Sequence, residues 1–206
     1  MVGVDVVADL PLTVWDDEGM LCGMELNLQM YGEKVLRERA SEVTVFDEAL
    51  MALSREMLEV MYAAQGIGLA AEQVGRTERM FVIDIPAESD VDAQGVRLHP
   101  EVEMPMVLVN LEIVAHSEET VRGTEGCLSF PGISADIERW SEVEVTYQDE
   151  MGKAHRVEAK GLLARAIQHE LDHLNGVLFI DRMSPVKKAL LEGRLKRLKR
   201  ETQRAG

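Results

Sequence analysis

The run His169-Glu170-Leu171-Asp172-His173 lies inside an otherwise apolar segment, Leu162 to Leu174, which Gly161 opens and Gly176 closes. The segment reads as a buried helix with a glycine stop. Residues four apart on a helix stand about one turn apart on one face, so the two imidazoles project together and can grip one ion, with Glu170 beside them. Polar groups buried on such a helix cost several kcal/mol unless something satisfies them, and a metal ion does so. The chain is therefore expected to fold around this helix.

Two histidines leave a metal site one protein ligand short. No histidine follows His173, and Glu192 lies in a basic segment among Lys187, Lys188 and Arg194, where a salt-bridged surface glutamate is the expectation. Upstream, Glu125-Gly126-Cys127-Leu128-Ser129 supplies Cys127. A single cysteine is usually an inert buried thiol. Beside a two-histidine helix, it completes a three-ligand set with one open position, the pattern of catalytic rather than closed structural sites. A bound divalent ion would keep the thiolate deprotonated. A third segment, Gly66-Ile-Gly-Leu-Ala-Ala-Glu-Gln-Val-Gly75, combines glycines that let backbone approach a ligand with the amide donor of Gln73.

From Asp47, a natural N-cap, the residues Leu50, Leu53, Met57, Val60, Met61 and Ala64 recur at steps of three and four, which predicts a helix stopping near Gly66. Met80–Pro86 and Met106–Ala115 read as strands, with a loop over 87–105 between them. Val143, Val145 and Tyr147 alternate with Glu144 and Thr146; a turn at Asp149–Lys153 returns residues 154–160 as the hairpin partner. Ser184-Pro185 starts a last helix reaching about residue 203. Strands and helices are segregated rather than regularly alternating, which favours an α+β fold of mixed or antiparallel sheets around the central metal-binding helix, with a C-terminal helix. The expected organisation is an N-terminal extension (1–28), a catalytic metallohydrolase domain (29–184) and a basic C-terminal helix (185–206). The extension, with its Leu10-Pro11-Leu12 patch, reads as a surface arm or a dimer contact.

Composition narrows the functional classes. The 206 residues carry 37 acids against 22 bases, a net charge of −15, which disfavours wrapping nucleic acid over the whole surface. Aromatics at 4% argue against a base-stacking platform. Two cysteines cannot make a disulfide framework. The acidic start lacks the basic character of secretory or transit signals, and no apolar run approaches the ~20 residues of a membrane span, so a cytoplasmic protein with no membrane partner is expected. The exception is residues 185–206, with eight bases against two acids.

The segments GIGLAAEQVG (66–75), EGCLS (125–129) and QHELDHLNG (168–176), in this order, resemble peptide deformylases, over a stretch running from about Leu36 through the last helix. The resemblance implies that Cys127, His169 and His173 hold one divalent metal. The family typically uses Fe2+; Zn2+, Ni2+ or Co2+ would also suit, and the Cys/His2 donor set on chemical grounds reads first as zinc. It further implies that Glu170 is the acid/base residue, that Gln73 and the Leu128 N–H face the developing oxyanion, that Gly68 lines the substrate cleft, and that Glu125 and Arg139 pair behind the cysteine segment. The implied reaction is removal of the N-formyl group from N-formylmethionyl nascent peptides, releasing formate, by attack of metal-bound water on the formyl carbon. Leu162 and Ala166, about two turns and one turn before the histidines, either line the methionine slot or are plain core. The basic last helix either meets ribosomal RNA, as in some deformylases, or is a solvated face. Departures from the family pattern are Leu111 after Asn110 where proline is usual, no proline within 29–32, a charge at Glu72 and a long 87–105 loop; Glu72 and that loop bear on the cleft rim. The competing readings are an HExxH metalloprotease and a non-catalytic metal- or ribosome-binding module.

Overall fold

A computed structural model describes residues 26–205. The 1–25 part of the N-terminal extension, including the Leu10-Pro11-Leu12 patch, lies outside the described residues. Helix α1 (Glu48–Ala63) starts where the apolar period begins, and Asp47 Oδ1 accepts the Leu50 N–H at 3.0 Å as its N-cap. Its end differs from the expectation: Gln65, with φ 56°, takes the left-handed position, and Gly66 only follows it. Five strands, β1 (Gly68–Ala70), β2 (Met80–Ile83), β3 (Met106–His116), β6 (Glu142–Gln148) and β7 (Ala154–Lys160), form one antiparallel sheet in the order β1-β2-β3-β6-β7. Two further strands, β4 (Thr120–Gly126) and β5 (Ser134–Trp140), pair only with each other. This hairpin, and the short β1 inside the glycine segment, are elements that hydrophobic patterning did not disclose.

Helix α2 (Gly161–Leu174) follows β7 directly and is buried along most of its length. Leu163, Ala164, Ala166, Ile167 and Leu174 join Phe81, Leu108, Val143 and Val145 in the main core beneath the five-stranded sheet. Gly176, with φ 70°, ends the helix; a Cβ there would come within 2.6 Å of the Arg37 carbonyl oxygen, so only glycine fits both the turn and the packing. A second cluster joins β5 to the C-terminal helix α3 (Pro185–Ala205), with Ile137, Phe130, Phe179, Leu191 and Leu195 at its centre. A third packs α1 on β2, with Leu26 and Leu28 against it. The fold is α+β, as the segregated elements predicted.

The 87–105 loop is tied to the start of α2. Asp90 Oδ1 lies 2.6 Å from His99 Nδ1, and His99 Nε2 accepts the Lys160 N–H at 3.1 Å. At the β3–β6 register shift Asn110 adopts φ 52°, and its amide bridges the backbone of Val43 and the side chain of Gln148. Leu111 is fully buried.

Candidate metal centre

Helix α2 carries His169 and His173 one turn apart on the face turned toward the β4–β5 hairpin, their ring centroids 5.2 Å apart. Cys127 leaves β4 by one residue and meets them. The ligand atoms of Cys127, His169 and His173 all lie within 4.8 Å of one another, and Cys127 Sγ is 3.3 Å from His173 Nε2. Among the described residues this is the one group of three such side chains arranged to hold an ion.

The surroundings fix each donor. His169 Nδ1 donates to Glu125 Oε2 at 2.9 Å, which aims its other ring nitrogen toward Cys127 and the ion site. Glu125, itself buried, also accepts from Arg139 Nε and Nη2 at 2.9 and 3.0 Å. Arg139 reaches on to Asp172 on α2 at 2.5 Å, and Asp172 takes both Nε and Nη2 of Arg182. Burial alone would raise the Glu125 pKa, but the His169 and Arg139 hydrogen bonds outweigh it and hold the carboxyl well below the usual range. Burial pulls His169 down, yet its bonds to Cys127 and Glu125 win and raise it. His173 has no such support: burial and the neighbouring positive groups push it well below its ordinary value, leaving a neutral imidazole.

Glu170 lies on the other side, toward β1. Its pKa is pushed up to about 7, chiefly by burial. A Cβ on Gly68 would come within 2.5 Å of Glu170 Oε1, so the glycine makes room for this carboxyl. Gln73, in the short 3-10 turn Ala71–Val74, is buried; its Oε1 accepts the Ala70 N–H at 2.8 Å, which leaves Nε2 turned to Cys127 Sγ and Ser129 Oγ, each at 3.4 Å. The Leu128 N–H follows Cys127 directly, while the Leu128 side chain packs toward α1. Ala166 is buried in the main core and Leu162 is half-buried against it, both on the first two turns of α2. Glu192 is exposed and paired with Lys196 at 2.8 Å. Glu72 is fully buried behind the site rather than at a cleft rim. Sequence reasoning did not single out Arg165, whose guanidinium also reaches Glu125, at 2.8 Å; only the spacing of four to His169 hinted at it.

The donor set fits a divalent cation. Two ligands on one tetrahedral ion, a thiolate at about 2.3 Å and an imidazole at about 2.05 Å, stand about 3.6 Å apart, close to the observed sulfur–nitrogen separation. Glu170 Oε2 and His173 Nδ1 are buried with no hydrogen-bond partner, an arrangement apolar packing alone does not favour. One cysteine sulfur and two imidazoles beside a buried carboxyl are the side-chain set of a metal-dependent hydrolase.

Comparison with known proteins agrees. The family model described as polypeptide deformylase matches residues 26–189. A peptide deformylase of Picosynechococcus sp. is 46% identical over 158 residues, 77% of this chain and 79% of that protein. One of Opitutus terrae is 45% identical over 186 residues, 88% of this chain and 97% of that protein. Among solved structures, a Synechococcus elongatus peptide deformylase in complex with actinonin superposes with TM-score 0.72 at 43% identity, covering 84% of this chain and 90% of that one. A Plasmodium falciparum peptide deformylase gives TM-score 0.75 at 37% identity, over 86% and 97%. The chain belongs to the polypeptide deformylase family.

Proposed function

We propose that this enzyme, a metal-dependent peptide deformylase, removes the formyl group from N-formylmethionyl nascent polypeptides and releases formate, using Cys127, His169 and His173 as the metal ligands. The observation that carries the reading is the meeting of the Cys127 sulfur with the His173 ring at 3.3 Å, beneath the Gln73 amide and beside Glu170.

A divalent cation held there supplies Lewis acidity and lowers the pKa of water. Glu170, with a pKa of about 7, takes a proton from the attacking water at its unpartnered Oε2. Gln73 Nε2, its amide orientation set by Ala70, and the Leu128 N–H donate to the former carbonyl oxygen as charge builds on it; one such donor is worth about 2.7–4 kcal/mol. Glu170 then returns the proton to the leaving amine nitrogen. Gly68 gives Glu170 its place and presents bare backbone to the substrate, and Leu162 and Ala166 form the apolar wall for the methionine side chain. Formate release from a formyl-Met peptide is the direct assay. Glu170→Ala is expected to retain one equivalent of metal and lose at least about 100-fold in turnover. Near-normal turnover with metal in place would remove Glu170 from the mechanism.

Fe2+ is the native metal in this reading, with Zn2+, Ni2+ and Co2+ as substitutes; metal analysis of anaerobically purified protein decides. A metalloprotease or a purely structural site is not favoured: the third donor is an upstream cysteine, and Glu170 lies beside the metal donors without being one. The described residues contain no helix long and apolar enough to cross a membrane, and the cytoplasm, where formylated chains emerge, is the working location. The exposed bases of α3, among them Lys187, Lys188, Lys196 and Arg197, are read as a ribosomal RNA contact. Ribosome binding should weaken steeply as salt rises, and salt-insensitive binding would overturn that part.

A further inference from the structure

We infer that Arg165 is a positioning residue for the metal centre, holding β4, and with it Cys127, in register with the two histidines of α2. The inference rests on the assignment of Cys127, His169 and His173 as ligands. The hairpin that delivers Cys127 pairs with no strand of the larger sheet, so its placement against α2 depends on side-chain ties. Arg139 and Gln168 supply some of them, but neither reaches the backbone of β4: Arg139, on β5, meets β4 only at the Glu125 side chain, and the Gln168 amide pairs with both the Trp140 N–H and its carbonyl. Arg165 is the α2 side chain, among the described residues, that reaches the backbone of β4. Its Nη2 donates to the Val121 carbonyl at 2.7 Å, and its Nη1 donates to the Ile137 carbonyl at 3.0 Å, to Glu125 Oε1 at 2.8 Å and, more weakly, to the Gly123 carbonyl at 3.5 Å. One guanidinium thus joins both strands of the hairpin to the carboxylate that orients His169. The planar fork makes this possible, and a lysine ammonium has no equivalent spread of donors.

Gly123 is the other half of the device. A Cβ there would stand 2.9 Å from Arg165 Cζ and Nη2 and 3.0 Å from Nε, and these are its three nearest neighbours. The Gly123 backbone lies outside the left-handed region, so a methyl group at 123 costs little except displacement of the guanidinium.

The test compares R165M, R165K, G123A and the G123A/R165M double variant with the parent by chelator competition for Co2+, and by the thiolate-to-cobalt absorption band. R165M and G123A are each expected to bind the metal ~10–100-fold more weakly and to shift or weaken that band. R165K is not expected to restore the band, and the double variant should be no weaker than R165M, because both changes remove the same contact. Parent-like affinity and spectrum in R165M and G123A would overturn the inference while leaving the ligand assignment intact. A parent protein that binds no stoichiometric metal would overturn both. Should R165M not fold, G123A, which keeps every charge, decides alone.

Discussion

At the scale of single residues, the most anomalous side chain is Glu72. It is fully buried beside Gln73, and neither carboxyl oxygen has a hydrogen-bond partner among the described residues. Burial drives its pKa up to about 8; Glu170 and Glu78 add to the rise, and Arg79 opposes it. The folded chain therefore holds this proton far more tightly than the unfolded chain does. For an acid raised in the folded state, stability is fullest below the ordinary carboxyl range, declines as pH climbs toward about 8, and then levels off. Glu72→Gln is expected to abolish that decline, adding about 2–4 kcal/mol at pH 8 and almost nothing at pH 4. Urea unfolding of both proteins across this range checks it, and parallel pH profiles would show that Glu72 is not protonated in the fold. The consequence for the site is local: a neutral Glu72 spares Glu170 a second buried negative charge.

Among elements, the β4–β5 hairpin carries the cysteine, and it is also the element least visible beforehand. The inward positions of β5 are Ala135, Ile137 and Arg139. The arginine replaces an apolar residue at one of them because its partner is the buried Glu125 on the facing strand. An ion pair at the interior of a strand breaks the apolar alternation on which strand recognition depends. Strand β1 was hidden for another reason: its three residues are too few to show a period. By contrast, β6 and β7 were legible because Val143, Val145 and Tyr147 alternate cleanly around a turn at Asp149, and α1 and α2 because their apolar positions recur over several turns. The candidate donors His169 and His173 were legible because their spacing is itself helix geometry, whereas Cys127 is brought to them by tertiary structure: the need for a third donor pointed to it, and the resemblance strengthened that choice. On the strands of the hairpin the one large buried apolar residue is Ile137, fully buried in the cluster that contains Phe130 and the α3 leucines. Ile137→Ala should cost about 2–5 kcal/mol. Because the anchor lies within the element that delivers Cys127, the same variant should also bind metal more weakly, whereas a comparable truncation in the α1 cluster, such as Leu53→Ala, should destabilise the fold without that effect. Paired urea titrations and chelator competitions separate the two outcomes.

The described residues are assembled around three apolar clusters, and the proposed metal centre lies between two of them. Cys127 packs at the edge of the cluster that joins the hairpin to α3, whereas the apolar face of α2, the helix that carries the two histidines, belongs to the core beneath the five-stranded sheet. Side-chain hydrogen bonds and ion pairs tie these bodies together: Arg165 to Glu125 and the β4 carbonyls, Arg139 to Asp172, and Gln168 to Trp140. A cation that takes its sulfur from one body and its nitrogens from the other is thus a cross-link, and its binding energy adds to the stability of the folded chain. At free metal about 100-fold above the dissociation constant, that contribution is about 2.7 kcal/mol. For a chain of this size it corresponds to roughly 5–10 °C in melting temperature. Stripping the metal should lower the melting temperature by that amount, and readdition of Fe2+ without oxygen, or of Co2+, should restore it. Amide exchange locates the loss: the hairpin and α3 should lose protection first, while β2 and the Met106–Leu111 part of β3, packed between the α1 and α2 clusters, should hold theirs. A metal-free protein that melts at the same temperature, or that loosens evenly throughout, would mean that the polar ties alone hold the two bodies together and that the ion does not join them.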